Sequence, residues 1–392
     1  MSSSMEKNVV LPLAGKKDKY GELVQEMFSV AGVSINGNRS FDIQVKDPRF
    51  FRSIIRDGTL GLGESYMDQW WECEDIAEMF SKVVKADLMA RFDRNIRFIF
   101  YFLKAKLSNE GRRSKAFEIG KRHYDAGNDL FQNMLDPRMV YSCGYWKNAQ
   151  ALNQAQEDKL DLICKKIDLE KGMRVLDIGC GWGSFAKFAS EKYGVEVVGV
   201  TVSKEQVHLA KELCSGLPIE IRLQDYRDLN EKFDRIVSVG MFEHVCPPNY
   251  DTYMNVVSRC LKEDGLFLLH TIGRNKEPKS HDGPWIRKYI FPNSEIPSIA
   301  QVAKALEGVF VMEDWQNFGT DYEKTLIAWY QNLVKNWKKI QDQYDQKFFR
   351  MMEYWLLMSV GLFRARFLNT WQLVLSKHGI PEGYQRKITY SP

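Results

Sequence analysis

From residue 173 onward, short aliphatic and β-branched runs (RVLDIG, VEVVGV, IEIRL, DRIVSV and GLFLLHT) alternate with the segments FAKFASEKYG, KEQVHLAKELC and YDTYMNVVSRCL, whose pattern is helical. That alternation predicts a parallel sheet with helices on both faces. Upstream, residues 24–90 follow a different pattern. ELVQEMFSVAG and DIAEMFSKVVKA read as helices, FDIQV as a short strand and GLGESYMDQWWE as a glycine-rich turn, which together predict a small mixed α/β domain. Beyond residue 322 the chain is aromatic-rich and helical, and NTWQLVLSK at 369–377 reads as a closing strand.

Between these blocks the charge changes. Residues 91–122 hold ten Lys/Arg (Arg91, Arg94, Arg97, Lys104, Lys106, Arg112, Arg113, Lys115, Lys121 and Arg122) against three acids (Asp93, Glu110 and Glu118), around the apolar run FIFYFL. A basic helix carrying aromatics suits an anionic membrane surface; on charge alone it is equally a linker helix with one solvated face. The expected organisation is therefore an accessory, lipid-binding domain over 1–90, a basic linker helix over 91–122 and a catalytic domain over 123–392.

Length and composition permit two domains: 392 residues, 44% hydrophobic and 27% charged. A net charge of +4 is too small to argue for nucleic acid. No apolar run approaches the ~18 residues of a membrane span, and the patch near the amino end, broken by Pro12, does not read as a signal peptide. Seven dispersed cysteines without a CxxC pair read as reduced thiols of a cytoplasmic protein with no metal site.

The chemistry begins where RVLDIG runs into Gly179-Cys180-Gly181-Trp182-Gly183. Glycines there let the backbone turn sharply and approach a ligand. A GxG turn alone is shared with dinucleotide-binding proteins. Here the spacing is GxGxG, Asp177 stands two residues before the first glycine, and no acid closes the next strand. The pattern resembles motif I of class I S-adenosylmethionine methyltransferases.

Further motifs narrow the resemblance. YSCGYW at 141–146, GVTVSKEQ at 199–206, LQDYRDL at 223–229, GMFEHV at 240–245, LLHTIG at 268–273 and FRAR at 363–366 are similar to those of cyclopropane-fatty-acyl-phospholipid synthases. The amino-terminal GLGESYMDQWWE resembles the bacterial phospholipid enzymes, whereas the related mycolic-acid enzymes lack that extra domain. The resemblance implies a class I fold with a Rossmann-like seven-stranded sheet. It also implies methyl transfer from S-adenosylmethionine to a cis double bond of a phospholipid acyl chain, with ring closure. By position it places Tyr141 and Ser142 at the methionine end of the donor, Gly179 and Gly181 in the loop beneath it, Thr201 and Gln206 near the ribose and Tyr226 beside the adenine. It implies bicarbonate as the base, held by Cys143, Glu243, His270, Ile272 (through its main chain) and Tyr322. A homodimer on the inner face of the membrane is implied as well. Read one by one, Tyr141 and Tyr226 are ordinary core aromatics, His270 a satisfied strand histidine, Glu243 a helix cap and Cys143 a small buried hydrophobe. Glu243 and His270 stand out because both fall at carboxyl ends of predicted parallel strands, the edge where such sheets bind ligands.

One departure matters: the synthases carry a cysteine just before FRxR, where this chain has Ser359. The chemistry needs no thiol. Methyl transfer to an alkene leaves a carbocation, and the site must exclude water, stabilise that cation and hold a base. Aromatic faces contribute about 0.5–2 kcal/mol each to a cation, and Tyr322, Trp329, Phe348 and Tyr354 are candidates. Two other readings use the same sequence: a lipid methyltransferase that leaves a methyl branch or methylidene group, and a lipid-binding scaffold on an inactive fold. The intact GxGxG, Glu243 and His270 disfavour the second of these.

Overall fold

The computed structural model describes residues 19–88, 127–277, 283–292 and 294–385. The basic stretch 91–122 lies outside the described residues. In chain order the amino-terminal part holds α1 (Lys19–Val30), β1 (Gln44–Val45), α2 (Arg49–Asp57), α3 (Thr59–Met67), β2 (Trp71–Glu72) and α4 (Ile76–Lys85). Next come α5 (Asn128–Met134), α6 (Leu152–Lys166), β3 (Arg174–Ile178), α7 (Ser184–Tyr193), β4 (Glu196–Thr201), α8 (Lys204–Leu213), β5 (Ile219–Leu223) and β6 (Phe233–Val239). The chain continues through α9 (Tyr250–Cys260), β7 (Leu261–Arg274), α10 (Pro284–Tyr289), α11 (Ile299–Leu306), β8 (Val311–Asn317), α12 (Thr320–Asn336), α13 (Gln346–Arg364) and β9 (Leu368–Ser376).

The seven larger strands form one sheet in the order β5-β4-β3-β6-β7-β9-β8, as expected. The first five are parallel; β9 runs antiparallel to both β7 and β8. Strand alternation decides which helices each face meets. Leu176, Ile178, Val198 and Val200 pack with Tyr253 and Val257 of α9. Val175 and Val197 pack on the other face with Ile163 of α6 and Phe185 of α7. With both faces covered, β3 is buried along nearly its whole length, Asp177 included. The chain leaves β3 toward β4 on one side and returns to β6 on the other. The loops after β3 and β6 therefore part at the carboxyl edge and open a crevice.

The segment GLGESYM is helix α3, not the expected turn, although Asp68 and Gln69 do turn after it. Its glycines serve close packing. A Cβ on Gly61 would lie 2.2 Å from the Ser53 carbonyl oxygen, and one on Gly63 would lie 2.3 Å from Cδ1 of Trp285. The FDIQV strand shortens to β1, paired with β2. Strand β8 was not expected. As an edge strand paired only with β9, it carries mixed polar and apolar residues without clear alternation.

Residues 23–88 share one apolar cluster with α5, α10, α12 and α13. Tyr354 of α13 sits among Tyr66, Trp71, Phe80 and Trp285, with ring centroids 4.6–6.4 Å apart. The Arg350 guanidinium lies 3.9 Å from the Tyr66 ring centroid and donates to the Tyr66 carbonyl at 2.7 Å. Tyr66 and Tyr330 both donate to Glu353, at 2.6 and 2.7 Å. Phe348 stacks on Tyr344 with centroids 4.5 Å apart. Phe348 and Tyr354 thus belong to this packing and not to the set of cation-stabilising rings, a correction to the sequence reading. Each large apolar side chain buried here contributes about 1.5–3 kcal/mol.

Gly63→Ala should destabilise the protein by about 1–3 kcal/mol, because the indole of Trp285 occupies the space of the new methyl. Urea unfolding measures this directly. A midpoint equal to that of wild type would mean α3 and Trp285 are not in close contact.

Candidate active site

The crevice at the carboxyl edge is a cleft of about 760 Å³, within the usual range for small-molecule sites. All seven residues expected to bind the methyl donor line it: Tyr141, Ser142, Gly179, Gly181, Thr201, Gln206 and Tyr226. The glycine loop takes left-handed backbone angles, with φ of 80° at Gly179, 55° at Gly181 and 80° at Gly183. A Cβ on Gly179 would lie 2.6 Å from Cγ of Met241, whereas one on Gly181 would meet nothing and would point into open space. Thr201 donates its hydroxyl to Oε1 of Gln206 at 2.9 Å, which ties the end of β4 to α8. Tyr226 meets Tyr253 edge-on at 5.2 Å. The ring of Tyr141 sits between Phe131 and Trp329, 5.1 and 5.3 Å away.

The five positions expected to hold bicarbonate do not line this cleft but lie directly behind it. Cys143 follows Ser142, and Glu243 stands between the lining residues Met241 and His244. Glu243 falls in a 3-10 turn after β6 and is buried. Its Oε1 accepts from the main-chain N–H of Ile272 at 2.6 Å, so that donor is directed at Glu243. Its Oε2 is buried and has no hydrogen-bond partner among the described residues. Burial pushes the carboxyl up to about 7, against the lowering effect of the Ile272 bond. His270 and Ile272 share one face of β7, and their partners across the ladder, Gln372 and Thr370, share it too. Gln372 Nε2 stands 3.2 Å from His270 Nδ1; as donor it leaves the imidazole proton on Nε2. Burial, helped by the charges of Lys159 and Lys166, holds His270 well below its usual range and hence neutral. Tyr322, at the start of α12, is raised well above an ordinary phenol by burial and by nearby Cys143, Tyr141 and Glu243. Cys143 is fully buried and its thiol is likewise raised, so it is not a thiolate.

The structure therefore gathers Cys143, Glu243 and Tyr322 beside Tyr141, with Ile272 joined to Glu243 and His270 two residues away on the same strand face. Tyr322 and Trp329 meet edge-on at 5.9 Å, next to Tyr141. Ser359 is half-buried on α13. Sequence reasoning missed the residues that hold the 140–146 loop. Thr325 accepts from Gly144 N and Trp146 Nε1 at 3.0 and 2.9 Å. Gln156 and Lys159 of α6 reach Ser142 from beneath. A Lys-Leu-Asp-Leu stretch in a helix reads as a solvated face, so nothing in the pattern marked Lys159 as buried. Among the described residues, no group of three or more His, Cys, Asp or Glu side chains is placed to hold a metal ion, and no helix is long and apolar enough to cross a membrane.

A glycine-rich turn after β3, a crevice opposite the loop after β6 and the seven-stranded sheet define a class I S-adenosylmethionine methyltransferase. The mycolic acid cyclopropane synthetase family model matches residues 111–373, and the chain belongs to that family. It is 51% identical, over 98% of its length and 99% of the relative's, to the cyclopropane-fatty-acyl-phospholipid synthase of Escherichia coli strain K12. A probable fatty acid methyltransferase of Pseudomonas putida is 35% identical over 65% of this chain and 68% of that one. Among solved structures, a cyclopropane synthase of Mycobacterium tuberculosis superimposes with a TM-score of 0.61 at 29% identity, spanning 69% of this chain and all of that one. A mycolic acid cyclopropane synthase in complex with SAH and CTAB gives 0.60 at 34% identity, with the same coverage.

Gly181→Val should leave the fold intact and weaken S-adenosylmethionine binding more than about 10-fold, because its side chain would enter the ligand's space. Titration calorimetry on a variant of normal circular dichroism decides this. Unchanged affinity would move the donor site elsewhere.

Proposed function

We propose that this enzyme methylates the cis double bond of an unsaturated phospholipid acyl chain and closes it to a cyclopropane, with bicarbonate as the proton acceptor. The observation that carries the proposal is Glu243: a buried carboxyl with one oxygen anchored by Ile272 N and the other without a partner. An unpartnered buried acceptor calls for a donor, and bicarbonate brings one O–H. His270, neutral and protonated on Nε2, and the Tyr322 hydroxyl are donors suited to its remaining oxygens. Cys143, held as a thiol, supports the pocket as a neutral wall.

When bound, S-adenosylmethionine supplies an electrophilic methyl group. The residues of this chain then have three tasks. Tyr141, Tyr322 and Trp329 present ring faces and edges around the reacting region and exclude water from a carbocation on the acyl chain. Glu243, His270 and Tyr322 fix the base, so that the proton leaving the transferred methyl passes to it as the new carbon–carbon bond forms. No protein atom is alkylated, so serine at position 359 is compatible with turnover. The alternative outcome, a methyl branch, shares every step up to the cation; a base placed for the methyl proton favours the ring.

Reaching an acyl chain requires the membrane. The proposal includes peripheral docking on the inner, cytoplasmic face through the amino-terminal part and the basic stretch 91–122, and assembly as a homodimer. A surface excess of Lys/Arg contributes roughly 1 kcal/mol per residue at an anionic bilayer.

The product is identified by mass spectrometry of unsaturated phospholipid vesicles incubated with enzyme and S-adenosylmethionine: the expected change is one added methylene per chain with loss of the double bond. Unmodified lipid would contradict the proposal. Glu243→Gln should slow turnover by about 10- to 100-fold while leaving donor affinity near normal, since a hydrogen bond to a charged group is worth ~1.5–3 kcal/mol. Added bicarbonate should partly restore Glu243→Ala, and Ser359→Ala should keep most activity. A fully active Glu243→Gln would place the base elsewhere.

A further inference from the structure

Of the buried polar side chains of helix α6, Gln156 and Lys159 stand one turn apart, both turned on the loop that bears Tyr141 and Ser142. Gln156 Nε2 donates to the Ser142 carbonyl at 2.8 Å, and Lys159 Nζ donates to the Ser142 hydroxyl at 2.7 Å. Lys159 is wholly buried, yet it lines the cleft. An ammonium has three donors, and this is the one hydrogen bond Lys159 makes among the described residues. Among them it forms no ion pair either. Four ionisable groups interact with it electrostatically: Cys143, Asp136, Asp177 and the neutral His270. Asp136 is occupied, accepting from Arg138 N and Val140 N at 2.9 Å each. Burial lowers the ammonium to about 8. A cation so placed is costly to bury unless something negative completes its surroundings.

The Ser142 hydroxyl shows what that partner is. It accepts from Lys159 through one lone pair, so its own proton is turned away from the ammonium. Ser142 is buried and lines the cleft, and among the described residues its hydroxyl donates to nothing. A hydroxyl backed by a cation is a polarised donor, suited to an anionic acceptor. The donor molecule carries one such group, the α-carboxylate of its methionine portion.

We propose that Lys159 is a positioning residue for the amino-acid end of S-adenosylmethionine: it fixes the Ser142 hydroxyl as a donor to the α-carboxylate and supplies the positive charge that balances that carboxylate on the cleft floor. The inference rests on the reading of this cleft as the S-adenosylmethionine site. It assigns Lys159 no part in proton removal. It gives the buried Lys159 ammonium a role at the cleft.

The test compares two ligands that share the adenosine and a methylated sulfur: S-adenosylmethionine, a sulfonium that carries the amino-acid end, and methylthioadenosine, a neutral thioether that lacks it. Calorimetry on wild type, Lys159→Met, Ser142→Ala and the double variant gives the affinities. Lys159→Met keeps the length of the side chain and removes its charge. It should weaken S-adenosylmethionine about 10-fold or more and leave methylthioadenosine within about 2-fold. Ser142→Ala should show the same selectivity, and it carries the test should Lys159→Met fail to fold. The double variant should be scarcely weaker than the worse single one, because both changes break the same arrangement. Equal losses for both ligands would overturn the proposal and make Lys159 a support for the loop alone. Unchanged S-adenosylmethionine affinity in folded variants would overturn it as well. If wild type binds neither ligand, the cofactor reading itself fails, an outcome distinct from the other two.

Discussion

Desolvation of charge at the carboxyl edge of the sheet is the constraint on which the site depends. Lys159, Asp177 and Glu243 are all buried there, and burial moves each toward its neutral form: Lys159 down to about 8, Asp177 and Glu243 up to about 7. Such groups are costly in a folded protein unless ligands complete their surroundings. Among the described residues Asp177 and Glu243 each keep one buried oxygen without a partner. The consequence is a site divided in two. The glycine loop, Ser142 and Lys159 face a cleft sized for a nucleotide-bearing ligand. Glu243, His270 and Tyr322 lie buried behind it, with the rings of Tyr141 and Trp329 beside Tyr322.

The 140–146 loop joins these compartments, and its supports come from elements distant in sequence. Helix α6 holds it from one side through Gln156 and Lys159, and α12 from the other through Thr325 and Asp321, the latter accepting from Trp146 N at 2.9 Å. Since α12 also carries Tyr322 and Trp329, a shift of that helix would move the donor loop and the aromatic wall together. Its neighbour α13 is clasped by α3 and α4: a Cβ on Gly361 would lie 2.5 Å from the Ala77 carbonyl oxygen. The amino-terminal part is thus packed onto the helices that shape the reacting region.

Much of this was legible in the chain. The β-rich runs became strands at nearly the expected places, and the GxGxG spacing after β3 located the cleft, because glycines take the left-handed backbone angles of that turn without strain. Glu243 was visible as chemistry just past the end of β6; His270, expected at the end of its strand, lies inside β7 at the last pair of the β6–β7 ladder, because β7 runs on beside β9. What could not be read depends on tertiary neighbours. Gly61 and Gly63 suggested a turn, yet they let α3 approach Ser53 and Trp285. Lys159 sits in a helix whose charges are mostly solvated, and only the folded loop shows it to be buried. Phe348 and Tyr354 shared the composition of the cation-stabilising rings but pack at the amino-terminal contact instead. Strand β8 lacks alternation because neither of its faces is fully covered: its residues are half-buried or exposed along its whole length.

The central claim is that a base held by the buried groups behind the cleft takes a proton from the transferred methyl. Donor carrying a fully deuterated methyl group, incubated with unsaturated phospholipid vesicles and read by mass spectrometry, tests it most directly. The account predicts a ring carbon that has lost one deuteron, with the remainder retained. A product that keeps every deuteron as an intact methyl branch would contradict it.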